Sequence, residues 1–242
     1  MMRKEEFDSI NKLENTHWWY VGTREICVAL LEKFLPKTVL TILDIGCGTG
    51  GNMQRLAKYG TVEGFDIDAY TVDLCNQKGL NCSVLDVQKA ELSPEKYDVI
   101  TFFDVFNQVK PENQAQTLHR VYKGIKNGGL LAMREPAMSI AGGRHDIEVN
   151  IQIRFDKKYM QALLTKAGFK VLYIGYINSL LFIPIVLKRK LELALSNTPK
   201  SDVQETNSVL NSALLTVLRI ENLLLKFVKM LFGVSLFVVA QK

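Results

Sequence analysis

Histidine is scarce in this chain of 242 residues, with three only, at His17, His119 and His145. The four cysteines, Cys27, Cys47, Cys75 and Cys82, form no C-x-x-C pair and no ligand spacing with those histidines. That excludes a zinc motif readable from spacing and a disulfide framework, so reduced thiols and no metal are expected. Internal repeats are lacking too. The first twenty residues are charged and carry no apolar core of a signal peptide, so no export is expected. Long apolar runs are nearly absent. The strongest, "VLYIGYINSLLFIPIVL" from Val171 to Leu187, is broken by Gly175, Asn178, Ser179 and Pro184. It falls short of the roughly 20 apolar residues that a spanning helix needs and reads as a buried strand followed by an amphipathic helix. A net charge of +5 is too small and too dispersed to argue nucleic-acid binding.

What is present is a folded composition, 48% hydrophobic and 23% charged, with an alternating pattern. The first 35 residues read as two helices broken at "HWWY" and Gly22. Strands are predicted at 38–45, 61–67, 80–86, 97–103 and 128–135, with helical patterns between them. A loop over 136–154 leads to a helix ended by Gly168, the strand "KVLYIGY", two helices split by the polar stretch 196–207, and the strand "VSLFVVAQK". Strands alternating with helices imply right-handed crossovers and a parallel sheet covered on both faces, with ligands at the carboxyl ends of its strands.

The first strand runs into "LDIGCGTGGN", where Gly46, Gly48 and Gly51 have the G-x-G-x-x-G spacing. Asp66 ends the second strand twenty positions after Gly46, where a carboxylate accepts from ribose hydroxyls. Asp68 is the better helix cap, which leaves Asp66 to the ligand. Asp86 could accept from an adenine amino group, and Phe103 and Asp104 end the fourth strand. A nicotinamide dinucleotide and S-adenosylmethionine both need the ribose acid. Asp44 distinguishes them, because a carboxylate near the loop suits a sulfonium and repels a pyrophosphate. Charges about 4 Å apart exchange about 4 kcal/mol at an effective dielectric near 20.

In order and spacing, "LDIGCGTG", "GFDID", "LDVQ", "YDVITFFDVF" and "IKNGGLLAMREP" resemble the class I S-adenosylmethionine-dependent methyltransferases, specifically the UbiE/UbiG-like group. The flanks "HWWYVGTR" and "FGVSLFVVAQK" resemble a bacterial small-molecule subgroup. The resemblance implies a Rossmann-like α/β fold, a seven-stranded sheet with helices on both faces and an antiparallel last strand. It implies S-adenosylmethionine as cofactor, with Asp44, Gly46 and Gly48 around its methionine part, Asp66 on the ribose, Asp86 and the Val87 amide on adenine, Phe103 beside it and Arg24 on the carboxylate. Relatives often carry histidines where this chain has Gln108 and Ile151. No catalytic residue is identified, and His17, His145 and Asp146 are the candidates. Trp18 and Trp19 read either as a lid over the cofactor or as core packing.

The expected organisation is one methyltransferase domain over 1–242: a helical cap (1–35), a Rossmann-like core (36–177), a helical insertion (178–232) and a final strand (233–242). The expected acceptor is a small molecule, apolar or linked to lipid or glycan; a non-catalytic cofactor-binding scaffold is the alternative. In the insertion, Arg219, Asn222, Lys226 and Lys229 would share one helical face, with Lys188, Arg189 and Lys190 on the helix before it. That pattern reads either as packing on the domain or a dimer contact, or as a peripheral membrane contact through 179–232. The expected location is the cytoplasm, with the inner membrane face as the place of any such contact.

Overall fold

The computed structural model describes residues 4–148, 151–195 and 206–242, without the side chains of His145 and Glu148. Its centre is a seven-stranded sheet: β1 (Leu40–Ile45), β2 (Gly60–Asp66), β3 (Asn81–Val84), β4 (Tyr97–Phe103), β5 (Ile125–Pro136), β6 (Lys170–Ile177) and β7 (Ser235–Gln241). The spatial order is β3-β2-β1-β4-β5-β7-β6. The first five strands run parallel, and β7 runs antiparallel to both β5 and β6, as the resemblance implies. β1 and β4 are buried almost throughout, because helices cover both faces. β1 pairs with β2 on one side and with β4 on the other. The strand order therefore reverses beside β1, and a crevice opens at the carboxyl ends there.

The helices are α1 (Lys4–Leu13), α2 (Trp18–Glu32), α3 (Gly51–Leu56), α4 (Ala69–Gln77), α5 (Pro111–Gly124), α6 (Arg144–Glu148), α7 (Lys157–Lys166), α8 (Phe182–Leu195) and α9 (Ser208–Leu224). Asp68, Asp156 and Asn207 cap α4, α7 and α9 by accepting from backbone amides in the first turn. One core packs Phe102, Phe106 and Phe155 on one face of the sheet. The other sets Ile26, Leu30 and Leu218 against Phe237 and Val239.

Several boundaries differ from the sequence reading. α2 runs unbroken through Gly22, because the residue is there for packing: a Cβ would lie 2.6 Å from Leu218 Cδ1 of α9. β3 stops at Val84, two residues before Asp86, whose side chain instead accepts from Gln88 N at 2.9 Å and turns the chain. β5 begins earlier than expected, since Ile125 already pairs with Tyr97. The loop over 136–154 contains the short helix α6. Most of the polar stretch 196–207 lies outside the described residues.

The expected basic face on the last helix is not formed. α9 ends at Leu224, before Lys226 and Lys229, and Arg219 is paired with Glu25 of α2 at 2.9 Å. Arg189 is buried and donates to Ala141 O. The run from Val171 folds as β6 and α8, and no helix among the described residues is long and apolar enough to cross a membrane.

Candidate active site

The turn after β1 needs glycine for its backbone. Gly46, Gly48 and Gly50 have φ of +70°, +54° and +91°, the left-handed region that side chains disfavour. Gly46 N and Cys47 N both donate to Phe65 O, at 2.7 and 2.9 Å, which ties the turn to β2. The two expected glycines differ in what they leave room for. A Cβ on Gly46 would meet Val105 Cγ2 at 2.2 Å, so that glycine admits a neighbouring side chain. Around Gly48 nothing lies within 4 Å of the same position.

Beside this turn is a cavity of about 440 Å³. Seven of the eight residues expected around the cofactor line it: Arg24, Gly46, Gly48, Asp66, Asp86, Val87 and Phe103. Asp66 Oδ2 accepts from Gly48 N at 2.9 Å and Oδ1 from Asp68 N at 3.0 Å. Burial raises its pKa, opposed by those backbone donors. Each oxygen keeps a second lone-pair site for a ligand hydroxyl. Arg24 is buried, and its Nε and Nη1 donate to Asn52 and Asn15 at 3.2 and 3.3 Å.

Asp44 is the exception. It lies beneath the turn rather than on the cavity wall, 1% exposed, with Oδ1 accepting from Thr101 Oγ1 at 2.5 Å. Oδ2 has no hydrogen-bond partner among the described residues, and burial pushes the pKa up to about 7. The expectation that Asp44 lines the methionine part of the site is not met on the cavity wall, because Asp44 is buried beneath the turn and bonded to Thr101.

Of the catalytic candidates, the structure places His17 and Asp146 off the cavity wall. His17 caps α2, its Nδ1 accepting from Trp19 N at 3.3 Å and its Nε2 lying 3.2 Å from Thr206 Oγ1; it does not line the cavity. Asp146 is held by Arg154 at 2.6 and 2.7 Å, away from the cavity. His145 belongs to α6, and its side chain lies outside the described residues. Neither Trp18 nor Trp19 forms a lid on the cavity, where Phe7 and Ile10 of α1 and Tyr20 of α2 take that place.

Sequence reasoning missed two charge arrangements because both join residues far apart in the chain. Glu14, between α1 and α2, accepts from Thr49 Oγ1 at 2.9 Å and from Lys78 Nζ at 2.6 Å, with Arg24 Nη2 at 3.9 Å. It fastens the helical cap to the glycine turn. At the end of β4, Asp104 has φ +63° and receives the guanidinium of Arg134 from β5. Burial opposes that guanidinium's charge, yet Asp104 holds its pKa above the ordinary value. Burial, followed by Glu6 and Asp104, holds the Tyr20 phenol protonated. A non-glycine residue at positive φ is a backbone outlier of the kind found at functional sites, but sequence does not show it.

Three of the cysteines converge although their spacing suggests nothing. The Sγ atoms of Cys47, Cys75 and Cys82 lie within 4.8 Å of one another. Cys75 Sγ donates to Gly48 O at 3.2 Å, and Cys82 Sγ lies 3.4 Å from Met53 Sδ. This buried thiol cluster supports the glycine turn from behind.

The residues fit S-adenosylmethionine on their own chemistry. The volume is within the range of about 300–1,000 Å³ usual for cofactor sites. Arg134 is neutralised by Asp104, and Arg24 and Lys78 lie beside Glu14. Asp66 and Asp86 remain to accept from ribose hydroxyls and an adenine amino group, with exposed Lys89 3.6 Å from Asp86. The glycine turn offers backbone, and Gly48 leaves room for a close approach.

Comparisons with known proteins agree. Residues 42–129 match a family model described as "Methyltransferase domain". A ubiquinone biosynthesis O-methyltransferase of Hydrogenovibrio crunogenus is 28% identical over 139 residues, covering 51% of this chain and 57% of that protein. Phosphoethanolamine N-methyltransferase 3 of Arabidopsis thaliana is 30% identical over 146 residues, covering 53% of this chain and 28% of that one. The chain thus spans about half or less of these relatives' lengths. Among solved structures, the phosphoethanolamine N-methyltransferase 2 of Haemonchus contortus in complex with S-adenosyl-L-methionine superposes with a TM-score of 0.60 at 17% identity, covering 89% of this chain and 52% of that one. Residues 42–129 are thus similar to a methyltransferase domain, and the chain shares its fold with S-adenosylmethionine-dependent methyltransferases of known structure.

Proposed function

We propose that this chain transfers the methyl group of S-adenosylmethionine to a small apolar acceptor, free or linked to a lipid or glycan, as a UbiE/UbiG-like enzyme. One observation carries the reading: the cavity wall joins Gly48, Asp66, Asp86 and Val87, the residues expected on the cofactor, to Phe7, Ile10, Tyr20, Gln108 and the Asp104–Arg134 pair, which the expected cofactor contacts do not use. When bound, the cofactor supplies an electrophilic methyl carbon on a sulfonium. The acceptor's electron pair forms the new bond to that carbon as the carbon–sulfur bond breaks, leaving a neutral thioether.

The chain's own residues position rather than activate. Burial holds the Tyr20 phenol protonated, which fits it to donate a hydrogen bond to the acceptor rather than to act as a base. Asp104 is already committed to Arg134. No histidine lines the cavity among the described residues. The chemistry therefore suits an acceptor that is nucleophilic as it arrives, with alignment and exclusion of water as the protein's contribution. The scaffold alternative is not favoured, since the family model and the relatives that match are methyltransferases.

The test is transfer of labelled methyl from S-adenosylmethionine into organic-soluble and aqueous fractions of a cell extract. Label is expected in the organic fraction. Tyr20→Phe should slow transfer roughly fivefold, the loss of about 1 kcal/mol for one hydrogen bond, while S-adenosylhomocysteine affinity stays unchanged. No labelled product from either fraction, with cofactor binding intact, would contradict the proposal.

A further inference from the structure

Four sulfur atoms meet behind the glycine turn, and each comes from a different element. Cys47 lies in the turn, Met53 on α3, Cys75 on α4 and Cys82 on β3. Cys47 Sγ lies 3.9 Å from Cys82 Sγ, which lies 3.4 Å from Met53 Sδ. The three Sγ atoms are all within 4.8 Å of one another, and all four residues are buried. Glycine makes the space. A Cβ on Gly64, which pairs with Cys82 across the sheet, would stand 2.5 Å from Met53 Sδ and 2.9 Å from Cys47 Sγ. One on Gly50 would stand 2.9 Å from Cys75 Sγ.

A buried thiol on its own packs as a small apolar group. Three thiols at this spacing offer more. An ion bound by three or four sulfurs at about 2.3 Å holds them about 3.8–4.0 Å apart, so small shifts would let the cluster enclose one. The donor set selects the ion. Among the described residues, no histidine or carboxylate belongs to the group. Zinc takes cysteine, histidine and carboxylate, whereas thiolates with a thioether suit Cu(I). A disulfide would use two of the thiols and leave the third, with Met53, without a role.

We propose that Cys47, Cys75, Cys82 and Met53 form a binding site for one Cu(I) ion. Each thiol releases its proton to solvent as a sulfur lone pair bonds the ion, and no electron is transferred. Cys75 thereby exchanges its hydrogen bond to Gly48 O for a bond to the metal. The ion would tie the turn to α3, α4 and β3, directly behind the cavity wall at Cys47 and Gly48. The proposal does not rest on the transfer reading, because it uses the sulfurs alone.

The experiment is anaerobic titration of the reduced full chain with Cu(I), in competition with a chromogenic chelator, and separately with Zn(II). One Cu(I) per chain is expected, bound more tightly than Zn(II). Cys82→Ser should weaken Cu(I) by at least about a hundredfold, beyond the roughly 10–100-fold that a residue behind the ligands is worth. Met53→Leu conserves volume and should weaken Cu(I) while leaving Zn(II) unchanged. Cys27→Ser, in the α2 core, should bind as wild type does. Copper-edge X-ray absorption of the wild type decides the matter even if a variant fails to fold. It should show three or four sulfurs at about 2.3 Å and no nitrogen. Failure to hold Cu(I) against the chelator, nitrogen among the ligands, or equal affinity of wild type and folded Cys82→Ser overturns the proposal. So does tighter binding of Zn(II) than of Cu(I).

Discussion

Asp44 and Glu135 are buried carboxyls whose pKa values rise to about 7 and about 8 through loss of solvation. Their unfolded values are near 4, so between these limits the folded protein binds more protons than the unfolded chain. Stability is then greatest below about pH 4, as far as these two groups decide it, and is lost as pH rises through about 7 and about 8. Asp44→Asn keeps the shape and removes one of the two ionisations. Its melting temperature should fall less steeply than that of wild type from acid to neutral pH, measured without ligand. An identical slope would show that Asp44 ionises in the fold as easily as in the unfolded chain. Glu135 has another duty: it accepts from Phe106 N and Asn107 N at 2.9 and 3.0 Å, fixing the segment that leads from Asp104 to Gln108.

At the scale of elements, the cap and insertion are held by contacts that can be removed singly. Gly22→Val would drive a side chain into Leu218 and separate α2 from α9. Overpacking of that kind costs about 1–3 kcal/mol, and a lowered melting temperature with the same fold is expected. Glu14→Gln removes the charge that Lys78 and Arg24 share. Loss of a charge-assisted bond costs about 1.5–3 kcal/mol, and α1 should become the first site of limited proteolysis. Unchanged cleavage would show that the cap is held by its apolar contacts, Phe7 among them. The sheet was legible in the sequence because each strand–helix unit carries its own periodicity and turn residues. Asp66 and Asp86 were legible for the same local reason, the one ending a strand and the other following closely on one. Glu14 with Lys78, and Asp104 with Arg134, were not. They meet only because the strand order reverses and α1 folds back over α4, which no local pattern encodes. The helical stripe expected from Arg219 to Lys229 failed likewise: the chain turns after Leu224, and Arg219 pairs with Glu25 of α2 at the surface.

Across the whole molecule, the distribution of charge separates two surfaces. The cavity at the β1–β4 switch keeps Asp66 and Asp86 for the cofactor's nucleoside, while Lys188, Lys190 and Lys226 are exposed on the insertion. Asp44 lies beneath the turn, so the cofactor reading rests on Asp66 at the turn's surface as the acceptor for ribose hydroxyls. Calorimetric titration with S-adenosylhomocysteine and with NAD, on wild type and on Asp66→Ala, tests that most directly. The account predicts that wild type binds S-adenosylhomocysteine and not NAD. It also predicts that Asp66→Ala weakens binding by about 1.5–3 kcal/mol, the worth of hydrogen bonds to a charged acceptor, with the melting profile still cooperative. Equal affinity of the folded variant and wild type, or tighter binding of NAD than of S-adenosylhomocysteine, would contradict it.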